Sequence, residues 1–161
     1  MNLRIADISD ANIVQEIYNE HVAQSNSTMD LYPKSLADIQ GWFKEFIDCE
    51  LIVLLEDDQY VLGWGLIKKY SDREGYAKAC ETAIYLRSDE TRKGYGTLMK
   101  KWIIEKCREL NYHHLVAKIF SSNKASIEYN KKLGYELVGT QKEIGYVNNE
   151  WKNVTILQLI L

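Results

Sequence analysis

A glycine-bearing junction between an apolar strand and a long helix constrains the fold of this chain more than any other feature. Residues 77–86 are predicted to form a β-strand, and Gly94-Tyr95-Gly96 begins a helix that extends to about Leu110. The next β-rich segment is His114–Phe120. Parallel neighbours need a crossover connection, usually a helix, so this strand, helix, strand order predicts one parallel pair.

Further helices and strands are predicted on both sides of this strand–helix–strand unit. Residues 51–56 and Tyr60–Lys69 flank a polar turn and predict a β-hairpin, with two helices before it. A short helix over residues 123–133 ends at Gly134, which is typical of a left-handed C-cap. The other predicted strands are residues 3–6, 135–143 and 151–161. We therefore predict an α+β fold, with a mixed, mostly antiparallel twisted sheet flanked by helices, as one domain over residues 1–161.

Composition excludes several functional classes. The 161 residues carry a formal net charge of −3, which disfavours a nucleic-acid partner. No apolar run approaches the ~20 residues of a membrane helix, so we expect no membrane partner. The cysteines are Cys49, Cys80 and Cys107; their odd number and wide spacing disfavour a disulfide scaffold or a zinc site. We expect a cytoplasmic protein without a bound metal.

The start of the long helix is basic and contains two glycines. Its sequence is Arg92-Lys93-Gly94-Tyr95-Gly96-Thr97. The first N–H groups of a helix lack internal partners, and the helix dipole adds partial positive charge there, so this motif favours an anion. Neither a complete P-loop nor a complete dinucleotide fingerprint is present, and a lone GxG is as typical of an ordinary turn before a helix.

Within this helix, spacing separates an apolar face from a charged one. We expect Leu98, Trp102 and Ile103 to face the core. Lys100 and Lys101 are expected to lie mostly elsewhere, with the other charged residues of the helix.

A second motif strengthens the first. Asn123-Lys124-Ala125-Ser126 begins the next helix, and Leu133-Gly134-Tyr135 ends it. Together the two motifs resemble those of the GNAT superfamily of N-acetyltransferases, and the rest of the chain resembles its phosphinothricin N-acetyltransferase branch. The further segments that carry this resemblance are Ile17-Tyr18-Asn19, Thr28-Met29-Asp30, Leu62-Gly63-Trp64, Arg73 with Tyr76, Glu81, Tyr85, and residues 151–161.

The resemblance implies a GNAT-like acyl-CoA N-acyltransferase fold, acetyl-CoA as co-substrate, a small-molecule amine as acceptor, and a homodimer. It implies that residues 92–97 hold the pyrophosphate and that Asn123 hydrogen-bonds the pantetheine or acetyl end. Asn123 is equally suited to capping a helix, and Ser126 to cofactor contact or to simple packing. The backbone groups that would face the pantetheine arm belong to Ile84, Tyr85 and Leu86.

Glu81 is the candidate general base. It interrupts an apolar strand, and a carboxylate there is costly unless it is paired or functional. The resemblance makes Arg73 the candidate anchor for an acidic group of the acceptor, since a guanidinium grips a carboxylate through two parallel hydrogen bonds. Tyr76, Tyr18 and Met29 are further acceptor-pocket candidates, although Tyr18 also lies on an apolar helical stripe.

Three positions depart from the family pattern. Thr91 stands where the cofactor motif has Arg or Gln, and Asn130 where many members place a tyrosine that protonates the leaving thiolate. We therefore expect water to protonate the thiolate, or the thiolate to leave unprotonated. Ser71-x-Arg73 replaces an Arg-x-Arg pair, which leaves the acceptor open. Two other functions stay open. One is an acyl-CoA-binding sensor or interaction domain with little catalysis, and the other is an acetyltransferase for protein N-termini or lysines.

Overall fold

The structure is a computed structural model that describes residues 1–58 and 60–161. Its strands are β1 (Asn2–Ile5), β2 (Leu51–Asp57), β3 (Tyr60–Lys69), β4 (Ala79–Leu86), β5 (His114–Phe120), β6 (Glu136–Val147) and β7 (Glu150–Ile160). Its helices are α1 (Ala11–Gln24), α2 (Leu36–Glu45), α3 (Tyr95–Glu109) and α4 (Lys124–Lys132). Within the described ranges, no helix is both long and apolar enough to cross a membrane.

One mixed sheet contains these strands, in the order β1-β2-β3-β4-β5-β7-β6. The β4–β5 pair is parallel and its neighbours are antiparallel, which confirms the predicted fold class and the predicted parallel pair. β4 starts two residues later than predicted, because residues 74–76 form a short 3-10 turn. Gly134 adopts φ +95°, as expected of the residue that ends α4.

The helices cover the two faces of the sheet and bury a separate core on each. α3 packs against β3 and β4 through Met99, Ile103 and Cys107. α1 and α2 lie against the other face, where Trp64 is buried among them. β2 serves both cores, because its successive side chains alternate between the faces. Val53 and Leu55 belong to the α3 core, and Ile52 and Leu54 to the α1–α2 core.

The parallel pair at the centre of the sheet is short. β4 and β5 pair only from Ala79 opposite His114 to Glu81 opposite Val116. Beyond that point β4 stays with β3, and β5 stays with β7. The two strands therefore diverge from Thr82 onward and leave a V-shaped cleft. The β4 edge inside this cleft has no strand partner, so its backbone polar groups are available to something else.

Candidate active site

The cleft between β4 and β5 is lined by residues of the second sequence motif, whereas residues 92–97 of the first do not line it. It encloses about 60 Å³ and lies between the diverging strands and the start of α4. Of the residues predicted to bind cofactor, Ile84, Tyr85, Asn123 and Ser126 line it. Leu86 lies just beyond, and its carbonyl oxygen already accepts a hydrogen bond from His21 Nε2 at 2.8 Å. The other lining residues are Ser27, Thr82, Ala83, Lys100, Ala117, Lys118, Ile119, Phe120, Tyr129 and Asn130.

The start of α4 is capped by the residue predicted to bind cofactor. Asn123 Oδ1 accepts a hydrogen bond from Ser126 N at 3.1 Å. The Asn123 amide nitrogen keeps its two hydrogens for another acceptor. Capping and ligand binding are therefore compatible, because the two roles use different atoms of the same side chain.

The two glycines at the start of α3 are required for different reasons. Gly94 is the N-cap with φ +88°, a conformation that L side chains rarely adopt, and it offers no side chain to cap the helix. A Cβ at Gly96 would lie 3.3 Å from the ring of Tyr129. The N–H groups of Tyr95, Gly96 and Thr97 form the uncapped first turn. Arg92 and Lys93 are exposed beside it, and Lys93 pairs with Glu90 at 3.0 Å.

Glu81 lies at the point where the cleft begins. It belongs to the last paired position of β4 and β5, and its Oε2 is 2.7 Å from Lys118 Nζ. The Glu81 side chain is 36% exposed. Because strand side chains alternate, Glu81 shares a face of β4 with Tyr85, which packs on Trp64 in the α1–α2 core. Thr82 points to the opposite face, toward α3.

Neighbours of Glu81 line two larger cavities, although Glu81 itself lines neither. Lys68, opposite Glu81 on β3, lines the first, and Lys118, its ion-pair partner, lines the second. The first has a volume of about 510 Å³, with Tyr18, Trp42, Phe46, Trp64 and Tyr85 as its aromatic lining. The second has a volume of about 630 Å³ and includes Tyr70, Tyr76 and Val116.

The tyrosine of α1 is held in a hydrogen-bond chain at the first cavity. Tyr18 Oη donates to Asp30 Oδ2 at 2.5 Å and accepts from the Thr28 hydroxyl at 2.7 Å. Burial, and next to it the neighbouring Tyr85, raise the pKa of the Tyr18 phenol, and burial also raises the pKa of Tyr85. Both hydroxyls therefore stay neutral and contribute hydrogen bonds rather than charge.

The four predicted acceptor-binding residues do not share one pocket. Tyr18 lines the first cavity and Tyr76 the second. Arg73 is exposed on the loop between β3 and β4. Met29 packs against β6, where a Cβ at Gly145 would overlap its thioether. Sequence spacing did not reveal this separation, because it depends on how two loops fold over the sheet.

The fold agrees with what comparison with known proteins finds. A family model described as an acetyltransferase (GNAT) domain matches residues 3–156. The chain belongs to the GNAT acetyltransferase family. An L-methionine sulfoximine/L-methionine sulfone acetyltransferase of Pseudomonas aeruginosa is 30% identical, over 99% of this chain and 94% of the relative.

Solved GNAT structures superpose over nearly the full length. A ribosomal-protein-alanine N-acetyltransferase from Brucella melitensis has a TM-score of 0.95 at 26% identity, covering 100% of both chains. A phosphinothricin acetyltransferase from Sinorhizobium meliloti, in complex with acetyl-CoA, has a TM-score of 0.94 at 26% identity, covering 99% of this chain and 88% of the other. The protein is thus an acetyl-CoA-dependent N-acetyltransferase, as the motifs predicted.

The residues present fit this GNAT co-substrate. The unpaired β4 edge suits an extended amide-bearing arm, and the uncapped first turn of α3 suits a diphosphate. No group of three or more His, Cys, Asp or Glu side chains within residues 1–58 and 60–161 is placed to hold a metal ion. Acetyl-CoA supplies an activated acyl carbon when bound, and the chain supplies positioning, charge and proton transfer.

The expectation for Lys100 is wrong. Lys100 is 2% exposed, whereas Leu98, expected in the core, is 41% exposed. Lys100 Nζ donates to Thr82 Oγ1 at 2.9 Å and lies 5.3 Å from the centre of the Tyr135 ring. Burial lowers the pKa of this lysine to about 8. A signal was available in the sequence, because Lys100 precedes Ile103 and Ile104 at the spacing of a buried stripe.

Replacing Lys100 with methionine should stabilise the protein at neutral pH. In the folded chain the lysine pKa is depressed from 10.5 to about 8, which corresponds to a cost of roughly 3 kcal/mol for the buried ammonium. That cost is present below about pH 8 and disappears as the pH rises toward 10.5. Urea unfolding should show Lys100→Met more stable at pH 7, by up to about 3 kcal/mol, with the gap closing in alkali.

The matched control for this measurement is Lys101→Met, the same change at an exposed neighbouring position. Its stability relative to the wild type should not vary with pH over the same range. A Lys100→Met protein less stable than the wild type at pH 7 would contradict the idea that burial penalises this ammonium.

Proposed function

We propose that this enzyme acetylates the primary amine of a small amino acid or analogue, of the phosphinothricin or methionine sulfoximine type, with Glu81 as the general base. The observation that carries the proposal is the position of Glu81. Glu81 is the last β4 residue paired with β5, and its neighbours Lys68 and Lys118 line two cavities large enough for such an acceptor. The Pseudomonas relative, whose name gives methionine sulfoximine and methionine sulfone as substrates, supports this acceptor class.

In the proposed reaction, one set of residues binds acetyl-CoA and another transfers the proton of the amine. The β4 edge over Ile84, Tyr85 and Leu86 aligns the pantetheine arm. The N–H groups of residues 95–97 hold the pyrophosphate, with Arg92 and Lys93 beside it. Asn123 and Ser126 lie nearer the acyl end. Glu81 accepts the proton that the amine loses as its nitrogen bonds to the acyl carbon. Because the Glu81 carboxylate is paired with Lys118, that ammonium also steadies it before the amine arrives.

The ammonium and carboxylate of an amino-acid acceptor complement charged side chains of the first cavity. The first cavity combines an aromatic wall with the carboxylate of Asp30 and the ammonium groups of Lys34 and Lys68. A zwitterionic amino acid would find both signs of charge there. Arg73 lies on the loop between β3 and β4, where a guanidinium can bind a carboxylate. Met29 packs against Gly145 of β6 and lines neither cavity, so any contact of Met29 with the acceptor is indirect, through its neighbour Asp30.

The test is release of CoA over a panel of amines. We expect turnover with methionine sulfoximine, methionine sulfone or phosphinothricin, and lower kcat/KM with a peptide that begins with alanine. The peptide is the informative competitor, because the Brucella neighbour is named as an acetyltransferase of a ribosomal protein. Preference for the peptide, or no turnover with any amino acid, would overturn the proposed acceptor class.

We further propose a homodimer of single domains, each spanning residues 1–161, that acts in the cytoplasm without a nucleic-acid or membrane partner. The outer strands carry apolar side chains that are more than half exposed: Leu137, Val138, Ile144, Tyr146 and Trp151. Tyr146 and Trp151 pack against each other with their ring centres 4.9 Å apart and their planes tilted by 54°. An exposed patch of this kind is typical of an interface. Light scattering should give a dimer mass, and Trp151→Lys should yield monomer; a monomeric wild type would refute the dimer.

A further inference from the structure

The cleft contains a buried cation that the proposed reaction leaves without a task. The Lys100 side chain extends from α3 to the sheet, where its Nζ donates a hydrogen bond to the Thr82 hydroxyl. Thr82 is the first β4 residue beyond the end of the β4–β5 pairing. Thr82 Oγ1 in turn lies 3.5 Å from Val116 O, across the vertex of the cleft. The ammonium is therefore fixed at the inner end of the space where the strands separate.

Within residues 1–58 and 60–161, no carboxylate forms an ion pair with this cation. Every ion pair found among the described residues involves other side chains. The titratable groups around Lys100 are two thiols, two phenols and one lysine that is already paired with Glu81. They are Cys80 on β4, Cys107 on α3, Tyr129 on α4, Tyr135 after α4, and Lys118 on β5. An arriving anion would gain an unshared, desolvated positive charge.

Acetyl transfer creates such an anion. When the amine nitrogen bonds to the acyl carbon, the carbon–sulfur bond breaks and its electron pair remains on sulfur. A thiol has an ordinary pKa of about 8.5, close to the pKa of about 8 held by Lys100. Proton transfer between groups of similar pKa is efficient in both directions.

We propose that Lys100 is the acid that protonates the departing CoA sulfur. The ammonium gives one proton to the sulfur, and the neutral lysine regains one from solvent. The proton that the amine loses leaves through Glu81, so the two transfers balance. This inference rests on the placement of the thioester at the cleft proposed above. It replaces the expectation that water protonates the thiolate or that the thiolate leaves unprotonated.

The geometry separates the acid from the base. Glu81 and Thr82 are successive residues, so their side chains point to opposite faces of β4. Lys100 therefore approaches the cleft from the α3 face and Glu81 from the cavity face. Tyr129 is the other candidate acid, but burial raises its pKa and its ring is packed against Gly96. Asn130 cannot act as an acid, and its Nδ2 donates to Ser126 O at 2.8 Å.

A direct test is titration of the CoA thiol bound to the full-length protein, followed by the ultraviolet absorbance of its thiolate. With wild type and with Lys101→Met, the thiol should titrate below its free value, because the Lys100 ammonium stabilises the thiolate. With Lys100→Met the thiol pKa should rise by about one unit or more. An unchanged titration in Lys100→Met would assign Lys100 a purely structural role.

Kinetics give the second readout. Lys100→Met should lower kcat about 100-fold with little change in the KM for acetyl-CoA, whereas Lys101→Met should match wild type. Thr82→Val removes the oxygen that orients the ammonium, so it should raise the thiol pKa and lower kcat, each by less than Lys100→Met does. It is the substitute test if Lys100→Met does not fold. Full activity in Lys100→Met and in Thr82→Val would overturn the inference. Wild-type protein that binds no CoA would overturn the proposed site as well, which separates the two failures.

Discussion

Glu81→Gln should lower kcat by about 100-fold or more while the protein stays folded. The amide has the shape of the carboxylate but does not accept the proton of the attacking amine, and general base catalysis contributes about 10² to 10⁴ in rate. The folding cost is small, because a half-exposed ion pair such as Glu81–Lys118 is worth roughly 0–1 kcal/mol. Steady-state kinetics with methionine sulfoximine and a thermal melt would measure the two effects separately.

Two control variants distinguish catalysis from ion pairing. Lys118→Met removes the partner and keeps the carboxylate, so it should retain most of the activity. Glu128→Gln removes an exposed glutamate that pairs with Lys131 at 3.7 Å, and it should have no effect. If Lys118→Met lost as much activity as Glu81→Gln, the ion pair rather than a base would explain the result.

Gly96→Leu should raise the apparent KM for acetyl-CoA by at least about 10-fold. A Cβ at this position is already within 3.3 Å of the Tyr129 ring, so a larger side chain displaces the ring or the first turn of α3. The N–H groups of that turn are the proposed pyrophosphate donors, and hydrogen bonds to charged groups contribute about 1.5–3 kcal/mol each. Initial rates at varied acetyl-CoA, with saturating amine, would give the change.

The matched control is Gly41→Leu in α2, where an added Cβ meets no atom within 4 Å. It should leave the KM for acetyl-CoA unchanged. Gly94→Leu tests the neighbouring glycine through its φ of +88°, which strains an L residue whatever the space. A KM unchanged in both Gly94 and Gly96 variants would place the pyrophosphate elsewhere.

Local sequence patterns were sufficient to predict the fold class, and four of the predicted cofactor residues, Ile84, Tyr85, Asn123 and Ser126, line the cleft. The parallel pair followed from an apolar strand, a glycine-bearing helix start and a second strand. Asn123 was identified both as a cap and as a cofactor contact, and its position in the structure allows both. These features depend on neighbours close in the chain, which is why one sequence was enough.

Features formed by distant segments were not predicted. The cleft exists because β4 and β5 stop pairing after Glu81, and no residue in either strand signals that point. Arg73 and Tyr18 were grouped as acceptor contacts, yet they lie at different places around two cavities. Lys100 was expected to lie away from the apolar face of its helix, whereas its helical position places it in the interior.

The divergence of β4 and β5 leaves one edge of a central strand without a neighbouring strand beyond Glu81. An unpaired strand edge at the outside of a protein invites other chains to pair with it. Here the open edge faces inward, toward a cleft of about 60 Å³. In the proposed complex the amide groups of acetyl-CoA complete the hydrogen bonding of that edge. On that proposal β4 has partners along both edges only while the co-substrate is bound.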